Sequence, residues 1–384
     1  MKKLAKIFRV IFLWFISASS LAQNKVTYYV KPPSLLHSAD HLYIAGNFNL
    51  WNPADKNFQF QETKNGIAAI TISLPSGNYE YKFTRGDWSK AETTADGTGI
   101  ANRTLNVSSD TIININISGW NDDFALSAPQ EKKHSASVNV TVMDSAFFIP
   151  QFNRTRRIWL YLPPDYASSK KLYPVLYMHD GQNLFDNATS FSGEWGVDEF
   201  LDSVFSKGKK EFIVVGIDNG LANRMNEYNP WKFKSFGNGQ GDQYVDFLVK
   251  TLKPFIDKNY HTLRDKKNTF IAGSSMGGLI SMYAVLKYPL IFGGAGIFSP
   301  AFWTASGVDS TVISKSKKMN SKLFFYAGGK EGDRMVPDMM RIENEIKKYS
   351  VSPTKEIIDP DAKHNEAAWK KWFPAFYDWI VANE

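Results

Sequence analysis

Five short runs built almost wholly from apolar residues recur through the last two-thirds of the chain: PVLYMH (174–179), FIVVGID (212–218), TFIAG (269–273), GGAGIFS (293–299) and KLFFYAG (322–328). A strand with one face in water alternates apolar and polar residues, whereas a strand covered on both faces does not. Runs of this length without a polar face predict the central strands of a mostly parallel sheet. RIWLYLP (157–163) reads as a further strand. Between the runs, GDQYVDFLVKTLKPFIDKNY (241–260), MVPDMMRIENEIKKY (335–349) and NEAAWKKWFPAFYDWIVA (365–382) carry apolar residues at helical spacing. Strand and helix alternating in this way predict a three-layer α/β/α domain over residues 138–384.

Residues 23–120 follow a different pattern. HLYIAGNF (41–48), GIAAITISLP (66–75), NYEYKFTRG (78–86) and TIININI (111–117) are short alternating runs separated by Gly, Asn and Pro, with no helical period. They predict an all-β, immunoglobulin-like sandwich. The polar, aperiodic stretch NDDFALSAPQEKKHSAS (121–137) reads as a linker.

The first 22 residues have Lys2, Lys3, Lys6 and Arg9, then an apolar run from Val10 to Ile16, then Ser20-Leu21-Ala22. This is the pattern of a secretory signal cleaved after Ala22, and it predicts a secreted or periplasmic protein with no stable membrane span once the signal is removed. Residues 1–22 hold four basic residues and no acidic one, so their loss takes the formal charge from +7 to +3. No basic cluster remains to suggest a nucleic-acid partner. The chain has no Cys, which excludes disulfides and thiolate metal sites and leaves a large core to hold the fold.

The chemistry concentrates where the run 269–273 meets a helical pattern. Gly273-Ser274-Ser275-Met276-Gly277 satisfies Gly-x-Ser-x-Gly between a strand and a helix, the nucleophile turn of α/β hydrolases. Small residues flank the nucleophile by two positions on each side, so Ser275 fits and Ser274, opposite Met276, does not. A serine hydroxyl needs a base. Of the six His, only His364 follows Ser275, in the order Ser, acid, His that this fold requires. The acid falls on the loop after the run 322–328, which offers Glu331 and Asp333, with Glu331 favoured. Asp359 and Asp361 lie too close to His364 in sequence. The oxyanion needs two donors: the backbone N–H of Met276, and one from the loop His179-Asp180-Gly181-Gln182, assigned to Gln182. His179-Asp180 reads as a structural turn. No metal or cofactor is called for.

With these residues placed, the second domain resembles the esterase D / enterochelin esterase-like family of α/β hydrolases. The likeness rests on YPVLYMHDGQNLFD (173–186), GEWGVDE (193–199), NRMNEYNPW (223–231), AGSSMGG (272–278), FSPAFW (298–303), YAGGKEGD (326–333) and KHNEAAW (363–369). It implies a serine esterase working through an acyl-enzyme, and its acid position supports Glu331. The departure is His-Asp-Gly-Gln where many members have His-Gly, which bears on the Gln182 assignment. Trp195, Glu227, Tyr228 and Trp303 fall on loops at the carboxyl ends of strands and are candidate substrate contacts, Trp195 and Trp303 as pocket wall. The first domain is similar to starch- and glycogen-binding modules through AGNFNLWNP (45–53), YEYKFTRGDWSKAE (79–92) and ANRTLNV (101–107). That likeness implies Trp51 and Trp88 as sugar-stacking faces, unless they are core residues. Together the two point to a carbohydrate-linked ester, acetyl or feruloyl, as substrate. Alternatives are a siderophore ester, acyl transfer by the same triad, or glycan binding without turnover.

Overall fold

The structure, a computed structural model, describes residues 23–33, 40–49, 51–62, 66–100, 102–124, 132–191, 193–233 and 238–382. The expected signal segment lies outside the described residues. The chain divides into two compact units, Met1–Ala128 and Pro129–Glu384.

In the first unit one sheet pairs Gln61–Glu62, Ala68–Pro75, Gln23–Lys31 and Thr111–Asn116 in that order, and a second pairs Tyr43–Gly46, Gly77–Thr84 and Arg103–Val107. Their facing residues form one core. Val26, Tyr28, Val30, Ile72 and Leu74 come from the first sheet, and Ile44, Tyr81, Phe83 and Val107 from the second. Tyr28 meets Tyr81 edge-on at 5.3 Å between ring centres, so large rings close the gap between sheets.

The second unit carries an eight-stranded sheet: β1 Val140–Ile149, β2 Arg154–Tyr161, β3 Val175–His179, β4 Ile213–Ile217, β5 Thr269–Ser274, β6 Gly294–Phe298, β7 Lys322–Gly328 and β8 Thr354–Asp359. Its spatial order is β1-β2-β4-β3-β5-β6-β7-β8. The first two strands are antiparallel, and the six from β4 to β8 are parallel. Helices α1 Val197–Ser206, α2 Arg224–Glu227, α3 Gly241–Phe247, α4 Lys253–Asn259, α5 Met276–Lys287, α6 Val308–Lys315, α7 Met335–Tyr349 and α8 Glu366–Val381 follow the strands. A π turn, Leu248–Leu252, joins α3 to α4.

The apolar runs are continuous because each strand feeds two cores. In β4, Ile213, Val215 and Ile217 point to one face and Val214 to the other. In β7, Leu323, Phe325 and Ala327 oppose Phe324 and Tyr326. Helices α3 to α7 pack on the first face, and α1 and α8 on the second. Helix α5 is buried from Met276 to Leu286, so it needs no polar stripe.

The expected linker is shorter than 121–137. Asn121–Asp123 form a turn whose Asp122 and Asp123 pair with Arg85 of the first unit. Residues 132–137 belong to the second unit. His134 Nδ1 lies 2.6 Å from Asp186, the Ser135 hydroxyl donates to Glu194 at 2.7 Å, and the Ser137 N–H donates to Asp198 at 2.7 Å.

Candidate active site

Ser275 sits alone between the end of β5 and the start of α5, at φ 58° and ψ −118°. An L-residue in this region costs about 1–3 kcal/mol and persists only where its surroundings hold it. Here the Ser275 N–H donates to the Phe298 carbonyl at 2.9 Å, while its own carbonyl accepts from the N–H groups of Leu279 and Ala301, each at 3.1 Å. The small neighbours are sterically required. A Cβ on Gly273 would stand 3.0 Å from the Gly277 backbone and from the His179 ring. One on Gly278 would stand 2.8 Å from the Phe298 carbonyl oxygen. Ser274 remains in the strand and is buried.

Glu331 and His364 lie on the loops after β7 and β8, at the same carboxyl edge of the sheet as Ser275. His364 Nδ1 is 2.7 Å from Glu331 Oε2, with the Glu331 side chain wholly buried and that of His364 37% exposed. The other carboxylate oxygen accepts from the Gly328 N–H at 2.6 Å and the Ser299 hydroxyl at 2.7 Å. Asp333 is exposed on the same loop, and Glu331 is the carboxylate that meets His364. Asp359 is held elsewhere, by Lys371 at 2.7 Å and Trp372 at 2.9 Å.

The loop after β3 turns at Asp180, in the left-handed region with φ 57°. Arg224 grips the Asp180 carboxylate through two nitrogens, at 2.7 and 2.8 Å, and Asn219 donates at 2.8 Å. Burial opposes ionisation of Asp180, but the guanidinium holds its pKa below the ordinary value. The backbone then enters a short turn, Gly181–Asn183, pressed so closely on β4 that a Cβ at Gly181 would lie 2.9 Å from Ile217. The Gln182 side-chain oxygen accepts from the Asn219 N–H at 3.2 Å. Met276 is the first residue of α5, where N–H groups lack helical partners. His179 is buried against Tyr244, 2.9 Å from its hydroxyl, and burial depresses its pKa to about 3, so it is neutral at working pH. The pair His179-Asp180 is a structural turn.

Three of the four expected substrate contacts are buried. Glu227 is wholly buried, its carboxylate shut off from solvent and its two oxygens paired with Arg154 at 2.8 Å and Arg156 at 2.7 Å. Tyr228 is 0% exposed, packed between His179 and Tyr244. Trp195 is 3% exposed among Phe298, Trp369 and Phe373, a core residue of the α8 face. Each was drawn by its position on a loop at the strand ends, where burial is not visible in sequence. Trp303 is half-buried in the turn Phe302–Thr304. In the first unit Trp51 and Trp88 are both half-buried, their rings 6.2 Å apart and tilted by 44°. Ser299 and Trp369 were not singled out in the sequence, although FSPAFW and KHNEAAW contain them.

The strand order, the strained serine between β5 and α5, and an acid–His pair on the loops after β7 and β8 define the second unit as an α/β hydrolase fold. The Esterase family model ("Putative esterase") matches residues 149–377, and the chain belongs to that family. It is an ester hydrolase. Among relatives, "Uncharacterized protein YbbA" of Bacillus subtilis is 32% identical over 210 residues, 53% of this chain and 76% of that protein. An endo-1,4-beta-xylanase/feruloyl esterase of Xylanibacter ruminicola is 29% identical over 217 residues, 55% of this chain and 27% of that longer protein. A stretch of 83 residues is 40% identical to an alpha-amylase of Niallia circulans, 21% of this chain and 6% of that protein. The solved BES protein from Bacillus cereus shares the fold with a TM-score of 0.53 at 18% identity, covering 66% of this chain and 98% of its own.

Proposed function

We propose that the chain is an exported serine carboxylic-ester hydrolase acting on a carbohydrate-linked ester, acetyl or feruloyl, through Ser275, His364 and Glu331. The observation that carries this reading is the joint placement of the strained Ser275 and the 2.7 Å Glu331–His364 pair at one edge of the sheet. Ser275 Oγ attacks the ester carbonyl while His364 takes its proton on Nε2. Glu331 keeps the proton on Nδ1 and stabilises the imidazolium. The N–H groups of Met276 and Gln182 receive the oxyanion. The intermediate collapses, the leaving alkoxide takes the proton from His364, and water resolves the acyl-enzyme by the same steps.

The carbohydrate half of the proposal draws on the first unit. The paired Trp51 and Trp88 offer flat faces of the kind that stack on sugar rings, and a stretch of the chain is 40% identical to an alpha-amylase. The relative named endo-1,4-beta-xylanase/feruloyl esterase supports a feruloyl ester as substrate. Export rests on the pattern of residues 1–22.

The test is initial rates on acetyl, butyryl, octanoyl and feruloyl esters, with wild type beside Ser275→Ala. Turnover that disappears in the variant supports the reading, and the acyl preference narrows the substrate. Equal rates in both proteins, or no turnover by folded wild type, contradict it. Product analysis with added alcohols separates hydrolysis from transfer.

A further inference from the structure

The geometry points to Ser299 and Trp369 as positioning residues that orient the buried carboxylate of Glu331 toward His364. The inference rests on the triad reading and deepens it. Four side chains form a closed ring. The Trp369 indole N–H donates to Ser299 Oγ at 2.9 Å, the Ser299 hydroxyl lies 2.7 Å from Glu331 Oε1, and Glu331 Oε2 lies 2.7 Å from His364 Nδ1. The His364 ring then meets the Trp369 ring edge-on, centres 5.1 Å apart at 89°.

The direction of each bond is fixed by chemistry. An indole nitrogen only donates, so it fills an acceptor site on Ser299 Oγ and leaves the hydroxyl proton to point at the carboxylate. With the Gly328 N–H, that gives Glu331 Oε1 two donors, and Oε2 is left for the imidazole. A buried carboxylate with fewer donors would turn or draw in other partners to satisfy its charge. Ser299 is itself costly to place, since it lies at φ 43°, where a non-glycine residue is strained. Its N–H is anchored to the Tyr326 carbonyl at 2.6 Å. Trp369 is packed in turn against the buried ring of Trp195, 5.7 Å away.

The strain supplies the test. Ser299→Ala removes the hydroxyl and keeps the strained backbone, whereas Ser299→Gly removes both. If the hydroxyl acts through Glu331, both variants lower kcat about tenfold, the size of one hydrogen bond to a charged group, with KM within about twofold. The Gly variant does so with Tm above that of Ser299→Ala, because its backbone is relieved while the same hydroxyl is missing. In a Glu331→Gln background, Ser299→Ala then lowers kcat by less than about twofold further, since residues acting as one unit are not additive. Wild-type kcat in Ser299→Ala, recovery of kcat in Ser299→Gly, or losses that multiply with Glu331→Gln would overturn the inference. Ser275→Ala on the same ester separates the two levels. If it is inactive while Ser299→Ala equals wild type, the positioning role alone fails; if it keeps the wild-type rate, the triad fails and takes the inference with it.

Discussion

Glu227, the last residue of α2, and Glu331, on the loop after β7, are both glutamates of the second unit, and both side chains are wholly buried. Their partners differ. Glu227 faces two permanent cations, Arg154 and Arg156, one on each oxygen. Glu331 faces a hydroxyl, a backbone N–H and one imidazole. Guanidinium groups never give up a proton at working pH, so Glu227 is locked into a structural pair. An imidazole gains and loses a proton readily, so a carboxylate held by neutral donors and one His can serve proton transfer. What would separate a brace from the proposed triad acid is the chemistry of the partner, since both side chains are wholly buried.

The largest expected effect sharpens that contrast. Glu331→Gln should lower kcat by about 10³- to 10⁴-fold, the scale for losing the residue that orients a catalytic His, with little change in Tm. Glu227→Gln should do the reverse. Stability falls by about 3 kcal/mol, because two arginines lose their counter-charge, while the folded fraction keeps most of its kcat. Paired melting curves and steady-state rates check both. A Glu227→Gln variant that is inactive yet fully stable would erase the distinction.

A third carboxylate extends the comparison. Asp198 is 0% exposed, accepts one bond from the Ser137 N–H at 2.7 Å, and has the carboxylate of Glu199 as its acidic neighbour. Burial, with the like charge of Glu199 beside it, pushes its pKa up to about 7. The folded state therefore favours the protonated acid. Stability from this site is whole below the unfolded value near 4, falls as pH rises, and is lost once pH passes about 7. Asp198→Asn keeps an acceptor for Ser137 without the charge. Its Tm advantage over wild type should grow between pH 4 and pH 7 and then level off. A constant advantage across that range would show that Asp198 does not titrate there.

These contrasts also mark how far the sequence reads. The apolar runs at β3 to β7 announced themselves because both faces are buried, and Gly273, Ser275 and Gly277 did so because the turn tolerates few alternatives. β1 Val140–Ile149 left no such mark, as an antiparallel edge strand with irregular register near Asp144 and several exposed residues. The His364 assignment came by elimination within a known chain order. The roles of Glu227, Tyr228 and Trp195 were not legible. Arg154 and Arg156 stand 73 and 71 residues from Glu227, and no local pattern reports a pair at that distance. The same separation hid Ser299 from Trp369, 70 residues apart.

The smallest expected effect concerns the first unit. Trp51→Ala, alone or with Trp88→Ala, should leave kcat on a soluble ester unchanged and weaken retention on insoluble polysaccharide, measured by pull-down against starch and xylan. Undiminished retention would assign the pair to packing.

The central claim is that Ser275 is the nucleophile, and covalent trapping tests it most directly. A fluorophosphonate ester reacts with an activated serine and leaves a stable adduct, which intact mass and peptide mapping locate. One adduct per chain is expected, on Ser275, absent from Ser275→Ala and strongly slowed in His364→Ala. An adduct on Ser274, or equal labelling of wild type and Ser275→Ala, would contradict it.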